Sequence, residues 1–305
     1  MPKRRSAPFI IVDILLILMI LLPLLCGMAI KILTAQPTDE ISIAGAQIYF
    51  IVDMPLQNMP ITESQVNAWL VILSLFGLCL FLTHGLSPTC ETKRQHFAEM
   101  IVEATDKMVR SNMGEYFKAF SPFVCAIMAL SAFSSLLTLI GLYPPTSDLN
   151  VVGGWALLVF FLITYYKFKC GPIHYLKSFA QPVALTPLNI ISEVATPISM
   201  AFRHYGNVLS GSVISVLLAA ALGGLSVTLF GSLPGLLGKL PEYFPILRVG
   251  IPAVLSLYFD IFSGCLQAFI FAMLTMLYVS GAFPAEDYAK KMEKIKKKKQ
   301  KINLK

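Results

Sequence analysis

Apolar residues run in long unbroken blocks along the chain, without the alternation of a half-buried strand, and six such blocks stand out. They cover Phe9–Ile30, Val66–Leu82, Pro122–Gly141, Val151–Tyr166, Leu188–Phe230 and Ile251–Phe283. About 20 apolar residues are enough to cross the roughly 30 Å of bilayer hydrocarbon as a helix. Backbone in lipid must satisfy its own hydrogen bonds, which admits helices or a closed barrel, and continuous blocks argue for helices. The pattern predicts an all-α, polytopic membrane protein of about six hydrophobic units. The last two exceed one perpendicular crossing by far, and predict a long tilted helical hairpin or crossings extended by in-plane portions. Gly223-Gly224 is a plausible break in the fifth unit.

Polar positions divide these blocks. Thr62 followed by Gln65 is a capping-box signature for the start of the second helix. Between the second and third blocks, His96–Met113 predicts an amphipathic helix. Phe97, Met100, Ile101, Ala104, Met108 and Val109 recur at helical spacing, with Glu99, Glu103, Asp106, Lys107 and Arg110 elsewhere. Such a helix lies on the inner leaflet and offers its charged face to a cytoplasmic partner. The first block follows Lys3-Arg4-Arg5 as a signal peptide would, and Gly27-Met28-Ala29 resembles a cleavage site. Its apolar stretch is longer than a signal core, so an uncleaved span is the preferred reading. Asp13, near the basic end of that span, is given no role.

Composition agrees with lipid as the solvent: 56% of the 305 residues are hydrophobic and 13% charged, against about a quarter charged in soluble domains. The basic residues orient the chain. Loops 35–61 and 142–150 hold no Lys or Arg, whereas loop 84–120 holds Lys93, Arg94, Lys107, Arg110 and Lys118, and loop 167–187 holds Lys167, Lys169 and Lys177. With both ends basic, six crossings place both termini in the cytoplasm of a bacterial-type cell membrane. Lys31, Lys239 and Arg248 are exceptions on the outer side. Nine lysines within Lys290–Lys305 account for the net charge of +7. Without interleaved aromatic residues, this tail reads as a lipid anchor rather than a nucleic-acid contact. The six cysteines stand singly, with no metal or redox spacing, and nothing implies a cofactor or a metal.

Arg203 is the focus of the chemistry. It sits deep in the fifth unit, and its guanidinium cannot escape lipid by losing a proton. Burying that charge costs between about 2.5 and more than 10 kcal/mol, so it must face a partner or a water-filled cavity. Ser192, Thr196, Ser199, Arg203, Asn207 and Ser210 recur at steps of three or four and draw a polar stripe along one helix face. Gly206 and Gly211 beside it allow close approach of another helix. The sixth unit has its own stripe, Ser256, Asp260, Ser263 and Gln267, continued by Thr275 and Tyr278. Two such stripes imply a polar path between two helices, along which the Asp260 carboxylate can pass an ion. His204 points about 100° away from Arg203 and serves either packing or relay.

The run Pro187-Leu188-Asn189-Ile190-Ile191-Ser192-Glu193, then Pro197-Ile198-Ser199, then Arg203-His204-Tyr205-Gly206-Asn207-Val208-Leu209-Ser210-Gly211, closely resembles the arginine helix of F-type ATP synthase subunit a. Leu266-Gln267-Ala268-Phe269-Ile270-Phe271 and Leu274-Thr275-Met276-Leu277-Tyr278 resemble that family's last helix, and Gly141-Leu142-Tyr143-Pro144 a loop between two middle helices. The resemblance spans about residues 62–283. It implies a membrane stator subunit pressed against a ring of c subunits, held by peripheral-stalk b subunits, with one half-channel for H+ or Na+ on each side of the membrane. Arg203 matches the family's essential arginine, and Asn207, Asp260 and Gln267 match positions lining the outer half-channel. Ser199, Ser210, Ser212, Ser256 and Ser263 are the remaining candidate path-lining residues. Ser212 stands where relatives often have a glutamate or histidine, and Asp260 stands at the partner position, where histidine or glutamate is often found. Thr138 replaces a common asparagine.

The implied organisation is an extra span and external loop over 1–61, a subunit-a-like domain over 62–283 with the ion-path hairpin at 187–283, and a Lys-rich cytoplasmic tail over 284–305. No catalytic site is expected in this chain alone: it holds no His-Glu-x-x-His and no convincing Ser–His arrangement. The alternative is a secondary ion or solute transporter working without a rotor, against which stands the lack of an internal repeat.

Overall fold

The computed structural model describes residues 7–34, 45–55, 57–87, 92–170, 186–230, 254–255 and 257–283. The helices are α1 (Ala7–Thr34), α2 (Glu63–Thr83), α3 (Lys93–Met113), α4 (Ser121–Leu136), α5 (Leu149–Cys170), α6 (Thr186–Phe230) and α7 (Gly264–Ala282). An antiparallel hairpin, β1 (Ile48–Val52) with β2 (Met59–Thr62), precedes α2. Among the described residues six helical stretches are long and apolar enough to cross a membrane. The protein is therefore the all-α, multi-pass membrane protein that the hydrophobic blocks predict. The hairpin was not predicted; both its strands carry exposed apolar side chains, including Phe50 and Ile51.

The chain divides into two compact units, one of 1–98, 128–152 and 202–269, the other of 99–127, 153–201 and 270–305. In the first, α1 lies along α2. Apolar side chains gain nothing by leaving lipid for each other, so small residues and hydrogen bonds set this contact. A Cβ on Gly77 would lie 3.2 Å from Met19 Cγ and 3.3 Å from the Ile20 nitrogen. One turn away, the buried Ser74 hydroxyl donates to the Ile20 carbonyl at 3.0 Å.

Both ends of α1 are tied by charge. At one end the buried Asp13 accepts from Arg94 Nη1 at 2.8 Å and pairs with His84 Nδ1 at 3.1 Å. Arg94 also donates to the His84 carbonyl and lies over the Phe81 ring, 4.8 Å from its centroid. Asp13, passed over in the sequence, thus fastens the first span to the end of α2 and the start of α3. Helix α3 begins at Lys93 rather than His96, and at its start Thr92 Oγ1 accepts the Gln95 N–H at 3.2 Å. At the other end Lys31 Nζ lies 3.5 Å from Glu63.

The start of α2 follows its sequence signature: the Thr62 N–H donates to Gln65 Oε1 at 3.4 Å. Beyond α4 a 3-10 turn (Leu137–Ile140) ends at Gly141, whose φ of +77° only glycine adopts without strain. The chain then folds back so that Leu137 and Leu142 pack on Val71, with Leu24, Leu75 and Leu130 around them. Asn67 Nδ2 donates to the Tyr143 carbonyl at 2.8 Å, and Ser64 donates to the Asp148 carboxylate. Asp148 Oδ1 accepts the Asn150 N–H at 2.9 Å and so caps α5.

In the second unit Thr105, Val109 and Met113 form the buried face of α3. Phe117, Tyr166 and Phe283 meet edge to face, and the Tyr116 ring stacks on Phe283. Lys167 on α5 pairs with Glu193 on α6, Nζ to Oε2 at 2.5 Å.

Helix α6 runs unbroken for 45 residues, about 68 Å at 1.5 Å per residue. The break expected at Gly223-Gly224 does not occur. Glycine weakens a helix in water, but in lipid any break would strand backbone N–H and C=O groups, and continuity is cheaper.

Candidate functional site

A cavity of about 190 Å³ in the first unit gathers four of the polar side chains singled out by sequence. Asn207 and Ser212 line it from α6, and Asp260 and Ser263 from the stretch leading into α7. The two sides meet directly, Asn207 Nδ2 donating to Ser263 Oγ at 2.8 Å. Gly211 on α6 permits this approach: a Cβ there would touch the Phe259 ring at 3.4 Å. Asp260 is half-buried and is the only carboxylate among the described residues lining the cavity.

Asp260 occupies a π-helical stretch, Tyr258–Ser263, which no spacing rule predicted. A π-turn holds an extra residue and so rotates the side chains that follow it, and such turns are frequent at functional sites. The second stripe divides after Ser263. Ser263 faces the cavity, whereas Gln267, four residues on, is buried and does not line it. Ser256 falls outside the described residues. Thr275 bonds the Phe271 carbonyl in its own helix, 2.8 Å away, and Tyr278 lines a second cavity, with Lys167 and Glu193, within the other unit.

The first stripe divides as well. Asn207 turns into the cavity, while Arg203 and Ser210 are exposed, as is Ser199 in its own unit. Ser210 and Ser212 donate to the carbonyls of Asn207 and Leu209, at 3.1 and 2.8 Å. Arg203 makes no hydrogen bond or ion pair to the described residues. The helix that carries it is also the least covered of the six spans: 6% of its most apolar window is buried within the chain, against 39% for the span containing Asp260. His204, for which packing and relay were both open, is completely buried, with Nε2 3.2 Å from Ser131 Oγ.

The rest of the cavity wall comes from residues that the stripes do not contain. Ser135 and Thr138 line it from the end of α4, and Tyr143, Pro144 and Ser147 from the following loop. Ser135 donates to the Ser131 carbonyl at 3.2 Å and lies 3.4 Å from Thr146 Oγ1. Thr138, conspicuous in the sequence only as a replacement for asparagine, is thus part of the wall. Burial, then the neighbouring Asp148, Tyr205 and Glu63, hold the Tyr143 phenol above its ordinary pKa. It therefore stays protonated, its hydroxyl donating to the Ser147 carbonyl at 3.3 Å. Among the described residues no cluster of three or more His, Cys, Asp or Glu could hold a metal ion.

The close contact of Gly264 with Ser135 seals one side of the cavity, a Cβ on Gly264 falling 2.7 Å from Ser135 Cβ. Gly264→Ala is expected to destabilise the subunit by about 1–3 kcal/mol through overpacking. Thermal unfolding in detergent reads the change, and Ser135→Gly should restore the loss.

The family described as ATP synthase A chain matches residues 65–280. The chain belongs to the ATP synthase A chain family. Its curated relatives include ATP synthase subunit a of Prosthecochloris aestuarii, 30% identical over 231 residues, covering 74% of this chain and 92% of the relative. Subunit a of Trichlorobacter lovleyi is 28% identical over 232 residues, 73% of this chain and 89% of its own. A sodium ion specific subunit a from Propionigenium modestum is 26% identical over 279 residues, 81% of this chain and 88% of the relative. The family match begins inside α2 and ends in the last turn of α7, within the limits the sequence motifs set. It takes in all of the cavity's lining residues and Arg203.

Proposed function

We propose that this ATP synthase A chain is the membrane stator subunit that couples a cation gradient, of H+ or Na+, to rotation of a ring of c subunits. The observation that carries the reading is Arg203: a permanent cation, exposed on the least covered of the six described spans and without a partner among the described residues. Left to lipid it is prohibitively costly, so a negatively charged surface of another molecule must face it. A ring whose subunits each carry a mid-membrane carboxylate supplies that surface.

In this mechanism a cation enters from the outer side through the cavity beneath the loop at 141–148. Asp260 accepts it and passes it on. Asn207 and Ser263, already bonded to each other, hold water and orient the carboxylate. Ser212 adds its hydroxyl to the same polar lining. The ring carboxylate that receives the cation becomes neutral and turns into lipid. The carboxylate arriving at Arg203 has lost its cation to a second half-channel on the cytoplasmic side, and the guanidinium bars a direct leak between the two. Each charge crossing the membrane releases about 2.3 kcal/mol per 100 mV.

Peripheral-stalk b subunits would hold the chain against the torque. In this arrangement both termini are cytoplasmic, in a bacterial-type cell membrane, and the Lys-rich segment 284–305 meets anionic lipid. Residues 62–283 form the working domain and 1–61 an added span and loop.

Affinity purification of the tagged chain in mild detergent tests the reading. A small membrane protein with a carboxylate in the middle of an apolar helix is expected to accompany it. A chain that purifies alone, and moves H+ or Na+ by itself in liposomes, would be a transporter, and the stator reading would fall.

A further inference from the structure

The first span and Glu63 lie outside the matched family region, and the mechanism above leaves them without a task. Glu63 is 4% exposed, unusual for a carboxylate in the first turn of a membrane helix. Its Oε1 accepts the Tyr143 N–H at 3.4 Å, and Tyr143 lines the cavity that holds Asp260 and Asn207. The carboxylate therefore stands directly behind the cavity wall.

The groups facing Glu63 come from four directions. Lys31 approaches from α1 at 3.5 Å. From β1 comes the Tyr49 phenol, held above its ordinary pKa by burial and then by the Glu63 charge. The loop after α4 contributes Tyr143, and the start of α5 contributes Asp148, which is bonded to Ser64 next to Glu63. Two carboxylates are thus set against one ammonium. Loops 35–61 and 142–150 contain no Lys or Arg. Lys31 is therefore the sole cation that these loops and the described helix ends they join bring to the cluster. It is also 41% exposed, against 5% for the Glu63 side chain, so its charge can be removed without opening a hole in the packing.

We propose, resting on the stator reading, that Lys31 sets the apparent affinity of the outer half-channel for its monovalent cation by offsetting the charge of Glu63 behind the cavity wall. The added span is then part of the ion path's electrostatics as well as a packing partner of α2. A cation entering the cavity feels the potential of Glu63 and Asp148 reduced by Lys31. Without Lys31 the same cation is held more tightly. At an effective dielectric constant near 20, a unit charge about 12–25 Å from the bound cation changes such an equilibrium by about three- to tenfold.

The test uses the whole ATP synthase complex in liposomes, with ATP synthesis measured at varied outer NaCl at fixed pH and at varied outer pH at fixed NaCl. The series in which the rate saturates identifies the cation. Lys31→Met should lower the half-saturating concentration of that cation about three- to tenfold with the maximal rate unchanged. Lys31→Arg should behave as the unaltered complex, and Lys31→Met combined with Glu63→Gln should return the half-saturation to its original value. An unshifted half-saturation in Lys31→Met, an equal shift in Lys31→Arg, or a failure to assemble that Glu63→Gln does not relieve would overturn the proposal. If the unaltered complex responds to neither gradient, the stator reading fails first. If it responds and only the shift is missing, Lys31 alone loses its role.

Discussion

Replacing Arg203 with alanine is expected to abolish ion-driven ATP synthesis while leaving the subunit folded and assembled. The two halves of this expectation have separate grounds. Arg203 is exposed and bonds to none of the described residues, so its removal leaves no orphaned partner among them. His204 beside it, which is buried against Ser131, remains to hold α6 in place. Function depends on the charge itself. A guanidinium keeps its proton at any working pH, so it always draws an ionised carboxylate and always repels a free cation. Alanine does neither, and cations can pass between the half-channels without turning the ring. Inverted vesicles containing Arg203→Ala should make no ATP under an imposed gradient, with the subunit present in normal amount by immunoblot. Arg203→Lys should fall well short of rescue, since an ammonium loses its proton far more readily in a dry setting. Normal synthesis by the alanine variant would remove the central element of the mechanism.

The sequence carried the outline of this protein because its environment leaves few choices. Lipid permits only helices among continuous apolar blocks, and the six blocks reappear as the six spans with ends shifted by a few residues. A charge in lipid is conspicuous for the same reason, which is why Arg203 and Asp260 could be picked out by position alone. Features built from distant pairs were not legible. Asp13 meets Arg94 across 81 residues, and Glu63 meets Tyr143 across 80. Nothing in the spacing of either reveals the partner. Helical periodicity also misleads where the helix is not regular. The stripe Ser256, Asp260, Ser263, Gln267 assumes 3.6 residues per turn, whereas Tyr258–Ser263 is π-helical, and of the stripe's described members only Asp260 and Ser263 line the cavity. Gly223-Gly224 failed as a stop signal because turn propensities measured in water carry little weight where a broken hydrogen bond has no solvent to replace it.

Asp260 gives the second large effect. Asp260→Asn preserves size and hydrogen-bonding capacity but abolishes the negative charge and the ability to take up and release a proton. No other carboxylate among the described residues lines the cavity, so nothing nearby can substitute. The expected outcome is a fall in ion-driven ATP synthesis of at least about tenfold, equivalent to roughly 1.4 kcal/mol or more on the rate-limiting barrier. Asp260→Glu, which restores the charge on a longer arm, should recover part of it. The comparison with Asn207→Ala separates chemistry from positioning. Asn207 donates to Ser263 and carries no charge, so its loss should slow flux several-fold without removing the dependence on Asp260. If Asp260→Asn sustains the original flux, cations do not pass through this cavity, and the path must run along the exposed face of α6 instead.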